Sequence, residues 1–67
     1  MSAVRRGRTF RHGAMLDLDM HVLRIENITD DEYWLEVMYV YRRDPNMLIG
    51  PDRVRIKRAD WKNWEMI

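Results

Sequence analysis

Asp17-x-Asp19-x-His21 places two carboxylates and an imidazole at every second position. On an extended strand, alternate side chains share a face. Carboxylates suit hard divalent cations and imidazole suits transition metals, so this triplet is the first place to look for a metal. Same-face neighbours on one strand diverge, however, and metal sites usually draw ligands from several elements. The expectation here is a solvated strand face and no metal. His12 and His21 are the only histidines available as general bases. Neither accompanies a nucleophile motif, a phosphate loop or a paired-carboxylate constellation, and Ser2 is the single serine. A non-enzymatic protein without a cofactor is expected.

A different chemistry is suggested by the run R-R-G-R-T-F-R-H at the start of the chain. Arginine forks onto phosphate, and Phe10 or His12 could stack on an exposed base. Arg53, Arg55 and Lys57 form a second basic row, with Arg58 and Lys62 nearby. Arg5, Arg6, Arg8 and Arg11 together with Arg53, Arg55 and Lys57 are therefore the residues of a nucleic-acid reading. Two bland readings compete with it: outward charge blunts an edge strand, and the arm can pair with acids of its own or a neighbouring chain. The formal net charge of +1 is far from the basic balance of most nucleic-acid binders.

The charge is nevertheless segregated. Residues 1–13 carry +4, residues 14–41 carry −6 and residues 42–67 carry +3. With 67 residues, one domain is expected, and a core of that size is marginal without reinforcement. Cysteine is absent, which excludes disulfides, thiolate zinc sites and cysteine nucleophiles. Oligomerisation or a tightly packed aromatic core is left as support. No stretch approaches the ~20 apolar residues of a membrane helix, and the basic start lacks the apolar segment of a secretory signal. A soluble cytoplasmic protein with no membrane partner is expected.

The segment that must organise any site is Asp31–Arg43. At period 2, Tyr33, Leu35, Val37, Tyr39 and Tyr41 share one face, and Trp34, Glu36, Met38, Val40 and Arg42 share the other. Helix punctuation is also present: Thr29-x-x-Glu32 matches a capping box, Arg42-Arg43 closes the run and Pro45 follows. Six β-formers in nine positions favour a strand. Before it, Leu16, Leu18, Met20 and Val22 share a face until the phase slips at Leu23 and Ile25, as a β-bulge would make it. Thr9–His12 reads as a short first strand. Asp44-Pro45-Asn46 and Gly50-Pro51-Asp52 read as two turns around a short apolar Met47–Ile49. Val54 and Ile56 point inward on a following strand, residues 59–63 make one helical or 3₁₀ turn, and residues 64–67 close as a last strand.

The tail V-R-I-K-R-A-D-W-K-N-W-E-M-I resembles the last strand and helical turn of the plasmid-borne type II dihydrofolate reductases, SH3-like barrels that build one active pore from a tetramer. That family's pore strand reads Val-Gln-Ile-Tyr. Here Val54 and Ile56 match, while Arg55 and Lys57 replace the two polar positions. The likeness covers about a dozen residues and stops at the functional ones, so it implies architecture and not reductase activity.

The sequence thus predicts an all-β chain: a small SH3-like barrel of about five strands over residues 9–67, with one short helical turn before the last strand. Residues 1–8 are expected to form a flexible basic arm. The expected function is a non-enzymatic interaction or adaptor module, a homo-oligomer or the partner of another protein, using Trp34, Met38 and Val40 as its protein interface. Trp and Met are enriched in such interfaces. In size and in its lack of catalytic signature the chain resembles the small proteins of phages and mobile elements. Nucleic-acid binding through the two arginine groups is the alternative.

Overall fold

A computed structural model of the chain describes residues 3–67, so Met1 and Ser2 of the expected arm lie outside the described residues. Five strands follow one another: β1 (Thr9–His12), β2 (Leu18–Ile28), β3 (Glu32–Tyr41), β4 (Leu48–Lys57) and β5 (Trp64–Met66). A single 3₁₀ turn, Trp61–Asn63, separates β4 from β5. The strands form one antiparallel sheet in the order β4-β3-β2-β1-β5, which leaves β4 and β5 as its edges. The chain is therefore all-β, and the 31–43 segment is a strand over Glu32–Tyr41. Its capping-box residue is used differently: the Thr29 hydroxyl accepts the Glu32 and Asp31 amides in the β2–β3 turn.

Period 2 sorts β3 as the pattern requires. Leu35 and Val37 are fully buried, and Tyr33 and Tyr39 pack at the margin of the same core. Phe10, Met20 and Val22 meet them from β1 and β2. The sheet needs a cover on this face, and the 3₁₀ turn brings one. Trp61 packs its ring 4.9 Å from Phe10 and 5.3 Å from Tyr33, with Trp64 stacked at 6.2 Å. Aromatic pairs at such separations add to the area they bury. Among the described residues no helix is long and apolar enough to cross a membrane.

The phase slip in β2 is two bulges. Val22 and Arg24 oppose the consecutive residues Val37 and Glu36, leaving Leu23 extra, and Glu26 is extra in the same way between Ile25 and Asn27. Each bulge bends the strand and sharpens its twist. A third irregularity lies in β4, where Gly50 and Pro51 stand against Met38 alone. This corrects the expected turn at 50–52. The chain does not reverse there, but continues as one strand from Leu48 to Lys57. Gly50 makes that possible with φ +124, at a point where a Cβ would meet Met38 Sδ and the Asp52 amide at 3.1 Å. The turn at Asp44–Met47 forms as expected, with the Met47 amide on the Asp44 carbonyl at 2.8 Å.

Part of the N-terminal segment is held. The Gly7 amide donates to the Val22 carbonyl at 2.8 Å, the Val22 amide donates to the Arg8 carbonyl at 2.9 Å, and Val4 packs against the core.

Candidate interaction face

The face of the sheet turned away from the core carries Trp34, Met38 and Val40 together with the basic row of β4, while Arg5, Arg6 and Arg8 precede β1. Alternation puts Trp34, Glu36, Met38 and Val40 of β3 there, with Arg53, Arg55 and Lys57 of β4 beside them. The rows differ in character along the strands.

At one end Trp34 lies directly opposite Arg55, whose guanidinium sits 3.9 Å above the indole centroid. Such stacking is weakly attractive at an exposed site and shields the ring. The bulge at Glu26 projects its carboxylate across β3 to Arg53 of β4 at 3.3 Å, and to Arg24 at 3.2 Å. Glu26, Trp34, Arg53, Val54 and Arg55 line a shallow cleft of about 250 Å³. The Trp34 indole N–H is buried and meets no acceptor among the described residues. Lys57 stands opposite Glu32 in the ladder, and Arg53 opposite Glu36. Among the described residues Arg53 is the one member of the basic row held in an ion pair, with Glu26.

At the other end the face is anchored by Asp19, a carboxylate only 5% exposed. Arg11 of β1 donates to both of its oxygens at 2.9 Å, and Arg42 donates from Nε to Oδ1 at 2.9 Å. A second Arg42 nitrogen reaches the Met15 carbonyl at 2.6 Å. The Arg11 hydrogen bond, opposed by burial and assisted by Arg42, holds the Asp19 carboxyl below its ordinary range. β1, β2 and the residue that follows β3 are thereby clamped together. His21 is also occupied, its Nδ1 lying 2.8 Å from the Thr9 hydroxyl. The Asp17, Asp19 and His21 triplet therefore does not converge. Asp17 is exposed and uses its carbonyl to accept the Arg42 amide.

Next to this clamp the surface turns apolar. Val40 pairs with Leu48, and Met38 lies under Gly50. Met47, Leu48 and Ile49 follow one another with exposures of 54%, 53% and 42%. Leu16, also exposed, precedes β2 at the same end. Trp34, Met38 and Val40 thus share a face as the period required, but Trp34 stands in the charged end and the other two in the apolar end. All three are half-buried. Open apolar surface at this end comes from Leu16, Met47 and Leu48, the last on the face of Val40; Ile49 pairs with Tyr39 and belongs to the opposite face. The sequence signal of Met47 and Leu48 was the short apolar run ahead of Gly50, which on its own reads as a linker between turns.

The arginines of the nucleic-acid reading are scattered. Arg11 is bound to Asp19 and Arg53 to Glu26, whereas Arg5, Arg6 and Arg8 are exposed and form no ion pair among the described residues. His12, on β1, has Asp60 3.8 Å from Nε2 and Trp64 edge-on at 4.9 Å. Asp60 is held below its ordinary range chiefly by the Asn63 amide.

No family model, curated protein or solved structure matches this chain.

Proposed function

We propose that this chain is a non-enzymatic interaction module that self-associates through the apolar end of its outer face: Met38, Val40 and Leu48, with Met47 beside them. The observation that carries the proposal is Leu48, 53% exposed on an edge strand opposite Val40, with Met47, 54% exposed, just before it. Contiguous exposed apolar surface marks interaction sites. A small chain without cysteine also gains from association what its core alone supplies poorly. The architecture we propose is a small SH3-like barrel. The strand order, the β2 bulges that bend the sheet, and the 3₁₀ turn before β5 all support it. A cytoplasmic setting belongs to the same proposal and rests on the cysteine-free sequence.

Burying the rest of a half-exposed leucine is worth about 1 kcal/mol. A two-fold interface counts each residue twice, so Leu48→Asp is expected to weaken a dimer by at least roughly 30-fold. Light scattering on a size-exclusion column, run from about 1 to 200 µM, reads this directly. Trp34→Glu, at the other end of the face, dissociates an interface that covers the whole face and leaves one confined to the Leu48 end. A wild-type chain that stays monomeric throughout the range overturns the proposal.

Nucleic-acid binding is the second reading, favoured by the exposure of Arg5, Arg6 and Arg8 without carboxylate partners. It requires affinity for a mixed-sequence oligonucleotide that falls steeply with salt and is lost on deleting residues 1–8.

A further inference from the structure

The outer edge of β4 is open, and the hydrogen bonds around it reveal which residues address that edge. The Arg58 amide donates to the Asp31 carbonyl across β3 at 2.8 Å, one step beyond the Glu32–Lys57 pair. In an antiparallel ladder, alternate residues bond to the same neighbour. Asp52, Val54, Ile56 and Arg58 therefore bond inward to β3, while Arg53, Arg55 and Lys57 turn their backbone groups outward. A separate bond agrees with this parity: the Arg53 amide, not engaged by β3, is taken by the Asp52 carboxylate at 2.9 Å. The Lys57 carbonyl is likewise taken, by the Asp60 amide at 2.9 Å. Left facing outward are the Arg53 carbonyl, both groups of Arg55 and the Lys57 amide. These are the groups that one added strand centred on Arg55 would use.

The same three residues send their side chains to the outer face, and all three are exposed. A strand added here places its own outer-face side chains about 5 Å from Arg53, Arg55 and Lys57. Opposite charges at that distance attract and like charges repel. A second copy of β4, antiparallel to the first, sets one basic row against another and is disfavoured. We propose that the Arg53–Lys57 edge is a strand-addition site for an extended peptide with acidic residues at alternate positions. Backbone bonds supply its affinity, and the alternate carboxylates supply its specificity. The site lies at the opposite end of β4 from Leu48, so it is independent of the self-association surface.

The probe is a fluorescent peptide of about seven residues, alternating Glu with Val or Thr, with binding followed by anisotropy against the full chain. Both the wild type and Leu48→Asp are titrated. Micromolar binding by both is expected. It should weaken roughly tenfold or more when Gln replaces Glu in the peptide, or when Arg55→Glu replaces the central cation. N-methylation of the peptide decides the backbone claim. Methyl groups on the amides that face β4 should abolish binding, while methyl groups on the intervening amides should leave it within about threefold. Four results overturn the proposal: equal tolerance of both methylation patterns, equal binding of the Gln peptide, preference for an oligothymidine over the peptide, and no binding at about 1 mM. In the last case the basic row only protects the edge from aggregation.

Discussion

Replacing Asp19 with alanine tests the physical reasoning most directly. The carboxylate is 5% exposed and accepts three guanidinium hydrogen bonds, each 2.9 Å long. Its loss leaves Arg42, itself half-buried, with one fewer acceptor. Breaking a fully buried pair costs about 3–5 kcal/mol. Here both arginines keep access to water, so about 2–4 kcal/mol is expected for Asp19→Ala. A chain of this length has a total stability of only about 3–10 kcal/mol, so the substitution removes a large share of it. With a urea slope of about 1 kcal/mol per molar, the unfolding midpoint should fall by about 2–4 M or disappear. Asp17→Ala, two residues away and exposed, should leave the midpoint unchanged. The sign of the pH effect follows from the same geometry. The folded carboxyl titrates below the unfolded one, so the stabilisation is fully present above the unfolded value near pH ~4 and is lost as pH falls through the folded value. The stability gap between wild type and Asp19→Asn should therefore be constant at neutral pH and close in the acid range. A midpoint for Asp19→Ala within about 0.5 M of wild type at pH 7 refutes the clamp.

A substitution and a deletion probe how the sheet is shaped and extended. Gly50→Ala forces a side chain into φ +124 against Met38 and backbone, and should cost about 1–3 kcal/mol in a thermal melt. An unchanged melting temperature would mean that the β4 bulge relaxes freely. Deleting residues 1–8 removes the acceptor for the Val22 amide, so that amide should exchange with solvent far faster, while those of Leu35 and Val37 stay protected. Val22 exchange at the wild-type rate would show that the segment is not docked there.

How much of this was legible in the sequence depends on the range of each interaction. The face assignments of β3 follow from alternation, a local property, and so does the bulged phase of β2, where Leu23 and Ile25 break the period. The 3₁₀ turn and closing strand were readable from short local signals around Trp61 and Trp64. The Gly50-Pro51-Asp52 segment was not. The same residues make a turn or a bulged strand, and the ladder to β3 decides between them. The candidate face shows the same division. Its membership was legible, but the partition into a charged Trp34 end and an apolar Leu48 end needed the cross-strand register.

Backbone preference and hydrophobic period act within a few residues, so the order of amino acids suffices to specify an all-β chain, the inward and outward residues of its long strand, and its segregated charge. The partners of the charges are long-range facts. Asp19 could not be known as the clamp of β1, β2 and the end of β3 before Arg11 and Arg42, 8 and 23 residues away, were brought to it. Nor could Arg53 be known as Glu26's partner, or Arg55 as the cover of Trp34. Those pairings, and the open edge beyond them, exist only once the strands have chosen their neighbours and their register, because cross-strand contact requires both at once.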